Sequence, residues 1–343
     1  MTLHNRQWVL KRRPAGALRL EDFAYREIDI ELPQLADGQV LVRNLVFNCA
    51  PTMRNWMNES GRSYRASVAL GDAIVGPACA QVVRSADERF GVGSRLIGVS
   101  RWEDYSVIEP RAASTPVLSV PPEMSSTDAL GLYGLNSLTA YFGLLHIGKP
   151  KPGDTLVVSA AAGSVGSMVV QLGVIHGCRV IAIAGGQEKC SWLSSACGAH
   201  GVIDYKAEDV AQRLVQLAPN GVNIFFDNVG GHLLQVLTDH MAVHGRIVLC
   251  GQLSAYDRNE PAPGPRDMMR VVYGRLTIQG FVLGDFLADT HAARAELMSW
   301  EARGKIVRHE DVRCGFMQLP AAFLDLFAGA NRGTLLLKVA EST

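Results

Sequence analysis

From about Pro152 the chain settles into a beat of short apolar, β-branched runs separated by stretches with helical spacing of apolar residues. Thr155 to Ala161, Arg179 to Ala184, Gly201 to Tyr205, Asn223 to Val229, Arg246 to Gly251 and Leu276 to Leu283 each read as a strand, and Lys189 to Cys197 reads as one of the intervening helices. Near-continuous apolar strands alternating with helices mark a parallel sheet covered on both faces, so this part predicts an α/β, doubly wound parallel sheet. Residues 1–127 lack that beat. Val40 to Leu45 and Ala73 to Val83, punctuated by Gly, Pro and Asp, predict mixed or antiparallel β structure. A helix from Phe286 to Arg303 leads to a last strand at Leu335, Leu336, Leu337 and Val339, and this tail is expected to rejoin the N-terminal part. The division expected is a mainly β domain over 1–127, a dinucleotide-binding domain over 128–298 and a return to the first domain over 299–343.

Composition narrows the function. With 343 residues, 48% of them hydrophobic and 19% charged, the chain can bury a large core, which excludes a disordered or fibrous protein. Thirty-three basic and 33 acidic residues leave a formal net charge of +0, so no global field draws it to nucleic acid or an anionic membrane, and the expected partner is a small molecule. No stretch approaches the ~20 apolar residues of a bilayer span, and no apolar run follows Arg6, so a cytoplasmic protein is expected. The seven cysteines are scattered and mostly sit in apolar runs, as reduced, core-packed thiols do. Cys190 and Cys197 could share a helix face, and core packing is the expectation for them. The Pro-rich, charged segment from Tyr256 to Arg266 reads as an ordered loop near the active site.

The sharpest local signal is Ala160, Ala161, Ala162, Gly163, Ser164, Val165, Gly166, directly after one predicted strand and opening a helix. Small residues in that context let the backbone turn tightly against a pyrophosphate held by amides at the positive helix end, which makes Ala162, Gly163, Val165 and Gly166 cofactor-binding candidates. An NAD site normally carries Asp or Glu at the end of the second strand for the ribose hydroxyls. Here that stretch reads Ala184, Gly185, Gly186, Gln187, Glu188, Lys189. It leaves room at Gly185 and supplies charge at Lys189, so NADPH is the expected cofactor.

These residues belong to a longer likeness. Asn5 to Leu10, Gly38 to Asn44, Leu138 to Leu145, Pro150 to Asp154, Asp227 to Gly231, Cys250 with Gly251, Gly264 to Met269 and Leu276 to Phe281 follow one another in an order spanning nearly the whole chain. The chain resembles the zinc-independent medium-chain dehydrogenase/reductases of the alkenal/enone double bond reductase type, the group of the prostaglandin and curcumin reductases. The resemblance implies a Rossmann domain set inside a discontinuous, mainly β, GroES-like catalytic domain. Position by position, it implies that Lys189 and Tyr205 grip the 2′-phosphate and that Asn228, Cys250, Phe281, Val282 and Leu283 line the nicotinamide half. It also implies that Asn331 contacts the cofactor and that Tyr256 stands near the nicotinamide ribose and the substrate carbonyl. In that group the late apolar strand at Leu276 to Leu283 pairs with its twin, which implies a homodimer.

Zinc-dependent relatives use an early cysteine, a Gly-His-Glu motif and a later cysteine. Cys49 lies near the first position, but Gly76 is followed by Pro77 and Ala78, so no metal is expected there. His240 and His244 have i, i+4 spacing, yet no third ligand accompanies them and Gly245 suggests a helix end. Without a Lewis acid, hydride must go to an already electrophilic carbon. The expected reaction is therefore NADPH-dependent reduction of an α,β-unsaturated aldehyde or ketone at its β-carbon, the enolate being stabilised by Tyr256 and the cofactor's ribose hydroxyl. Quinone reduction, alcohol or ketone chemistry, and non-catalytic NADPH binding are the alternatives. Thr52, Pro77, Asn136 and Ser137 stand where the resembling group carries other residues, which marks them as substrate-pocket positions and points to a polar or bulky enone.

Overall fold

The computed structural model describes residues 2–59, 63, 65–113, 115–256 and 262–342. The chain divides into two compact units, Met1–Leu135 with Glu310–Thr343, and Asn136–His309. Chain order runs β1 (Thr2–Leu10), β2 (Phe23–Glu31), β3 (Val40–Asn48), α1 (Met53–Trp56), β4 (Val75–Ser85), β5 (Arg95–Arg101), β6 (Tyr105–Ile108), β7 (Leu118–Val120) and α2 (Ser126–Leu130). There follow α3 (Leu135–Phe142), β8 (Thr155–Val158), α4 (Ser164–Ile175), β9 (Arg179–Ala184), α5 (Gln187–Ser195), β10 (Gly201–Asp204), α6 (Val210–Leu217), β11 (Val222–Asp227) and α7 (Gly231–His240). β12 (Met241–Leu249), α8 (Leu253–Tyr256), α9 (Met269–Gly274), β13 (Thr277–Gly280) and α10 (Thr290–Ala302) complete the second unit, and β14 (Glu310–Cys314), α11 (Leu319–Ala328) and β15 (Thr334–Lys338) return to the first.

In the first unit β1 and β2 form an antiparallel pair, and a seven-stranded sheet runs β14-β15-β3-β4-β5-β7 with β6 also on β3. The returning β15 lies between β14, to which it is parallel, and β3, to which it is antiparallel. Its Leu335 and Leu337 join Leu10, Phe47, Met53, Trp102 and Phe323 in the buried core. The second unit is one parallel sheet in the order β10-β9-β8-β11-β12-β13, and the expected doubly wound fold is what forms. The order reverses between β8 and β11, the switch point at whose carboxyl end ligands bind in such sheets.

The boundaries fall later than the expected 127 and 298. Leu132 N donates to Glu310 Oε1 at 3.1 Å, which ties the stretch after α2 to the returning chain. At the far side, Ala293, Leu297 and Trp300 of α10 are buried, Trp300 packs near Tyr141 and His176, and Gln171 holds both backbone groups of Val307. The whole of α10 therefore stays with the second unit.

Three local readings change. The strand expected over Leu276 to Leu283 is only Thr277–Gly280, and a 3-10 turn, Leu283–Asp289, follows. That turn brings Phe286 flat against Phe142, with centroids 4.6 Å apart, and this tertiary stacking overrides the strand pattern. His240 closes α7, whereas His244 lies in β12 at φ +65°, so the two do not share a helix face. Cys197 lies beyond the end of α5, although it is buried like Cys190. Of the loop from Tyr256 to Arg266, residues 257–261 lie outside the described residues.

The sequence pattern does not disclose that α3 runs on into a π-helical turn, Gly143–Gly148. A Cβ at Gly143 would lie 2.5 Å from Phe281 Cζ and 2.8 Å from Phe226 Cε2, so only glycine allows this wide turn to seat against the ends of the sheet.

Candidate functional site

The end of β8 builds the expected turn. Ala160 takes a left-handed φ of +47°, Gly163 N returns to Ala160 O at 3.0 Å, and α4 starts with Gly163 as its N-cap. A Cβ at Gly166 would fall 2.3 Å from Ala160 O and 2.8 Å from Ala161 Cα, so this glycine is what lets α4 close onto the strand. Ala162, Gly163, Val165 and Gly166 thus gather at the amino end of a twelve-residue helix whose first amides face outward for an anion. Asn136 joins them: its Nδ2 donates to Ser164 Oγ at 2.9 Å. Asn136 and Ser137 are in the first turns of α3, and Ser137 is buried.

At the end of β9, a Cβ on Gly185 would stand 2.8 Å from Tyr205 Cε1 and 3.0 Å from Lys206 Cε. Tyr205 and Lys206 follow β10 directly and lie over this glycine, where an acid would stand in an NAD site. Asp204 holds the two loops together, its Oδ1 accepting from Gly186 N at 2.9 Å and Lys206 N at 3.0 Å. These backbone bonds lower the Asp204 pKa. Burial depresses the Lys189 ammonium, nearby Lys206 depresses it further, and Glu188 opposes the shift. Two ammonium groups close enough to repel one another at this turn fit a doubly charged phosphate. Sequence reading missed Lys206 and Asp204, although a second cation directly after Tyr205 was the available signal.

Beyond the switch point, Asn228 follows β11, its N donating to Ser159 Oγ at 2.8 Å and its Nδ2 to Ser159 O at 2.7 Å. Cys250 follows β12, its N donating to Asp227 O at 2.8 Å. Desolvation pushes the Cys250 thiol up to about 12, with Asp227 adding to the rise, so it stays neutral near pH 7. Tyr256 ends α8 with its hydroxyl turned back on its own loop, 3.3 Å from where a Gly251 Cβ would lie and 3.5 Å from Gln252 N. Phe281 lies against Gly143, Val282 is partly exposed, and Leu283 opens the 3-10 turn.

Three candidates belong to the first unit. Thr52 precedes α1. Pro77 is buried in β4, where a Cβ on the adjacent Gly76 would lie 2.9 Å from Met53 Cε of α1. Asn331 is buried before β15, its Nδ2 donating to Gly333 O at 2.9 Å. Where a zinc motif would place His and Glu, Pro77 pairs with Val99 and Ala78 with Gly98 in the sheet interior. Among the described residues no three His, Cys, Asp or Glu side chains are grouped to hold a metal.

A family model described as the N-terminal domain of oxidoreductase matches residues 6–116, and one described as zinc-binding dehydrogenase matches residues 164–300. An NADPH-dependent curcumin reductase of Escherichia coli (strain K12) is 36% identical over 98% of this chain and 97% of its own. Prostaglandin reductase 1 of Bos taurus is also 36% identical, over 98% and 99%. The chain belongs to the medium-chain dehydrogenase/reductases, in their zinc-independent alkenal/enone reductase group. Among solved structures, CurA of Vibrio vulnificus in complex with NADPH matches with a TM-score of 0.88 at 36% identity, covering 98% of this chain and 99% of that one. The zinc-binding description attaches to residues 164–300 of this medium-chain reductase, while in the first unit Pro77 and Ala78 offer no side-chain ligand atoms.

Proposed function

We propose that this chain uses NADPH to reduce the carbon–carbon double bond of an α,β-unsaturated aldehyde or ketone. The observation that supports the cofactor is the end of β9, where Tyr205 and Lys206 lie against Gly185 and the Lys206 charge reaches Lys189. The curcumin and prostaglandin reductases at 36% identity support the reaction class.

When bound, NADPH supplies a hydride for the electrophilic β-carbon. The chain's residues do the rest. Lys189 and Lys206 balance the 2′-phosphate, and the first amides of α4 hold the pyrophosphate. Asn228 spends its amide nitrogen on Ser159, which leaves its carbonyl oxygen to orient the nicotinamide carboxamide, beside Cys250 and Phe281 to Leu283. The Tyr256 hydroxyl, with the ribose hydroxyl, donates to the enolate oxygen, and Tyr256 or solvent supplies the α-proton. Asn136 braces the first turn of α4 through Ser164 Oγ, Ser137 beside it is the substrate-pocket candidate of the second unit, and in the first unit Thr52 and Pro77 are substrate-pocket candidates and Asn331 a cofactor candidate.

The deciding experiment follows NADPH oxidation over a panel of enals, enones, quinones and ketones. Enones and enals should be the substrates, and 4-deuterated NADPH should leave its label on the β-carbon. A label on a carbinol carbon, or turnover confined to quinones, would refute the reading.

We further propose a homodimer paired through β13. This strand ends the sheet, and beside it Met269, Val272 and Tyr273 of α9 are exposed apolar side chains. Light scattering at micromolar concentration should give twice the chain mass, and Val272→Asp should halve it. A monomer mass for the unaltered protein would exclude this pairing.

A further inference from the structure

Asp227 is fully buried at the end of β11, and Ser159 is fully buried just past the end of β8, so their hydrogen bond of 2.9 Å spans the switch point of the sheet. The carboxylate also accepts from Val229 N at 2.9 Å and from Gly230 N at 3.0 and 3.1 Å. Every one of these contacts is a donor aimed at Asp227, which is the pattern of an ionised group. Among the described residues the groups that bond to it, Ser159, Val229 and Gly230, are all neutral.

A lone carboxylate in a core is costly even when hydrogen-bonded, and desolvation raises its pKa here. Three donors, one of them shared between both carboxylate oxygens, offset that cost but leave a net negative charge in a low-dielectric floor, where charge acts at longer range than in water. The loops this charge supports are those of the nicotinamide half. Ser159 Oγ, held by Asp227, accepts Asn228 N, and the Asp227 carbonyl accepts Cys250 N and Gly251 N. The Tyr256 hydroxyl then rests on Gly251. NADP+ differs from NADPH in carrying a positive charge on its ring.

We propose that Asp227 is an electrostatic positioning residue for the nicotinamide end of the site, its buried carboxylate favouring the oxidised, cationic ring over the reduced, neutral one. This rests on the proposed placement of the cofactor over the ends of β8, β11 and β12. Such a bias lowers the energy of the state toward which hydride donation proceeds, without Asp227 touching any reacting atom.

The test is binding of NADP+ and of NADPH to the whole protein, by calorimetry and by NADPH fluorescence at pH 8, independent of turnover. Asp227→Asn should weaken NADP+ about tenfold and NADPH less than about twofold. Equal weakening of both, as lost structure alone would cause, overturns the proposal. If Asp227→Asn does not fold, Ser159→Ala decides: it keeps the charge but removes one hydroxyl dipole set against it, so NADP+ should gain relative to NADPH. An unchanged ratio, or a relative loss of NADP+, overturns the proposal. Lys189→Ala, run alongside, should weaken both nucleotides alike. If it weakens neither, the cofactor placement falls and this inference with it, whereas a normal Lys189 effect with equal losses at Asp227→Asn removes this inference alone.

Discussion

The ring of Tyr205 occupies the space that a side chain on Gly185 would need, with Cε1 2.8 Å and Cζ 2.9 Å from the position of a Cβ. Gly185→Asp should therefore do more than add a charge, because the carboxylate enters only by displacing Tyr205 and Lys206. NADPH affinity should fall at least tenfold, since a charge-assisted hydrogen bond is worth about 1.5 to 3 kcal/mol and like charge is added. NADH affinity should rise less, for want of an ordered ribose contact. Paired titrations with NADPH and NADH check this, and equal changes in both would count against the site.

Lys189 and Lys206 should share one phosphate. Each single alanine variant should raise the NADPH dissociation constant about tenfold and leave NADH nearly unchanged. The double variant should lose less than the product of the two, because removing one ammonium relieves the mutual repulsion that depresses Lys189. Binding of 2′-AMP against 5′-AMP reads the effect without turnover.

Asn136 is bonded to Ser164, at the mouth of the pyrophosphate helix. Asn136→Ala should thus raise the KM for NADPH by a similar factor with every substrate. A substrate-dependent change in kcat/KM, largest for polar or bulky enones, would instead place the amide on the substrate side.

Stability should carry an acid-dependent component from Asp87. Arg89 donates to its carboxylate through Nη2 at 2.7 Å, Nε at 3.0 Å and its backbone amide at 3.0 Å, which holds the group down to about 2. An unfolded Asp titrates near ~3.9. The folded value lies below the unfolded one, so this stabilisation is complete above ~4 and is lost as pH falls through about 2. Asp87→Asn should lower Tm at pH 7 and leave it unchanged near pH 2; a constant offset across that range would refute the assignment.

Much of the second unit is legible because its signals are local. β9 spans Arg179–Ala184 as its apolar run indicates, and the small-residue turn after β8 sits where strand, turn and helix meet. What escaped depends on residues far apart in sequence. Asp227 and Ser159 are 68 positions apart, and neither says alone that the other will bind it. The early end of β13 reflects Phe286 stacking on Phe142 and Phe281 filling the space beside Gly143. Lys206 reads as one more surface lysine until the β10 turn folds it over Gly185. Asn136 reads as a substrate-pocket position until α3 and the turn after β8 bring its amide onto Ser164.

The insertion of β15 between β14 and β3 sets an order of assembly. A ribosome delivers the seven strands β1–β7 first, yet the flank of β3 that accepts Leu336 to Lys338 cannot be covered until the whole intervening sheet has emerged. Domains form as units during synthesis, so the nucleotide-binding half should mature while its host waits with an open seam. Nascent chains halted before residue 334 should accordingly resist protease across 136–309 and remain cleavable within 1–135, where chaperones would be needed most.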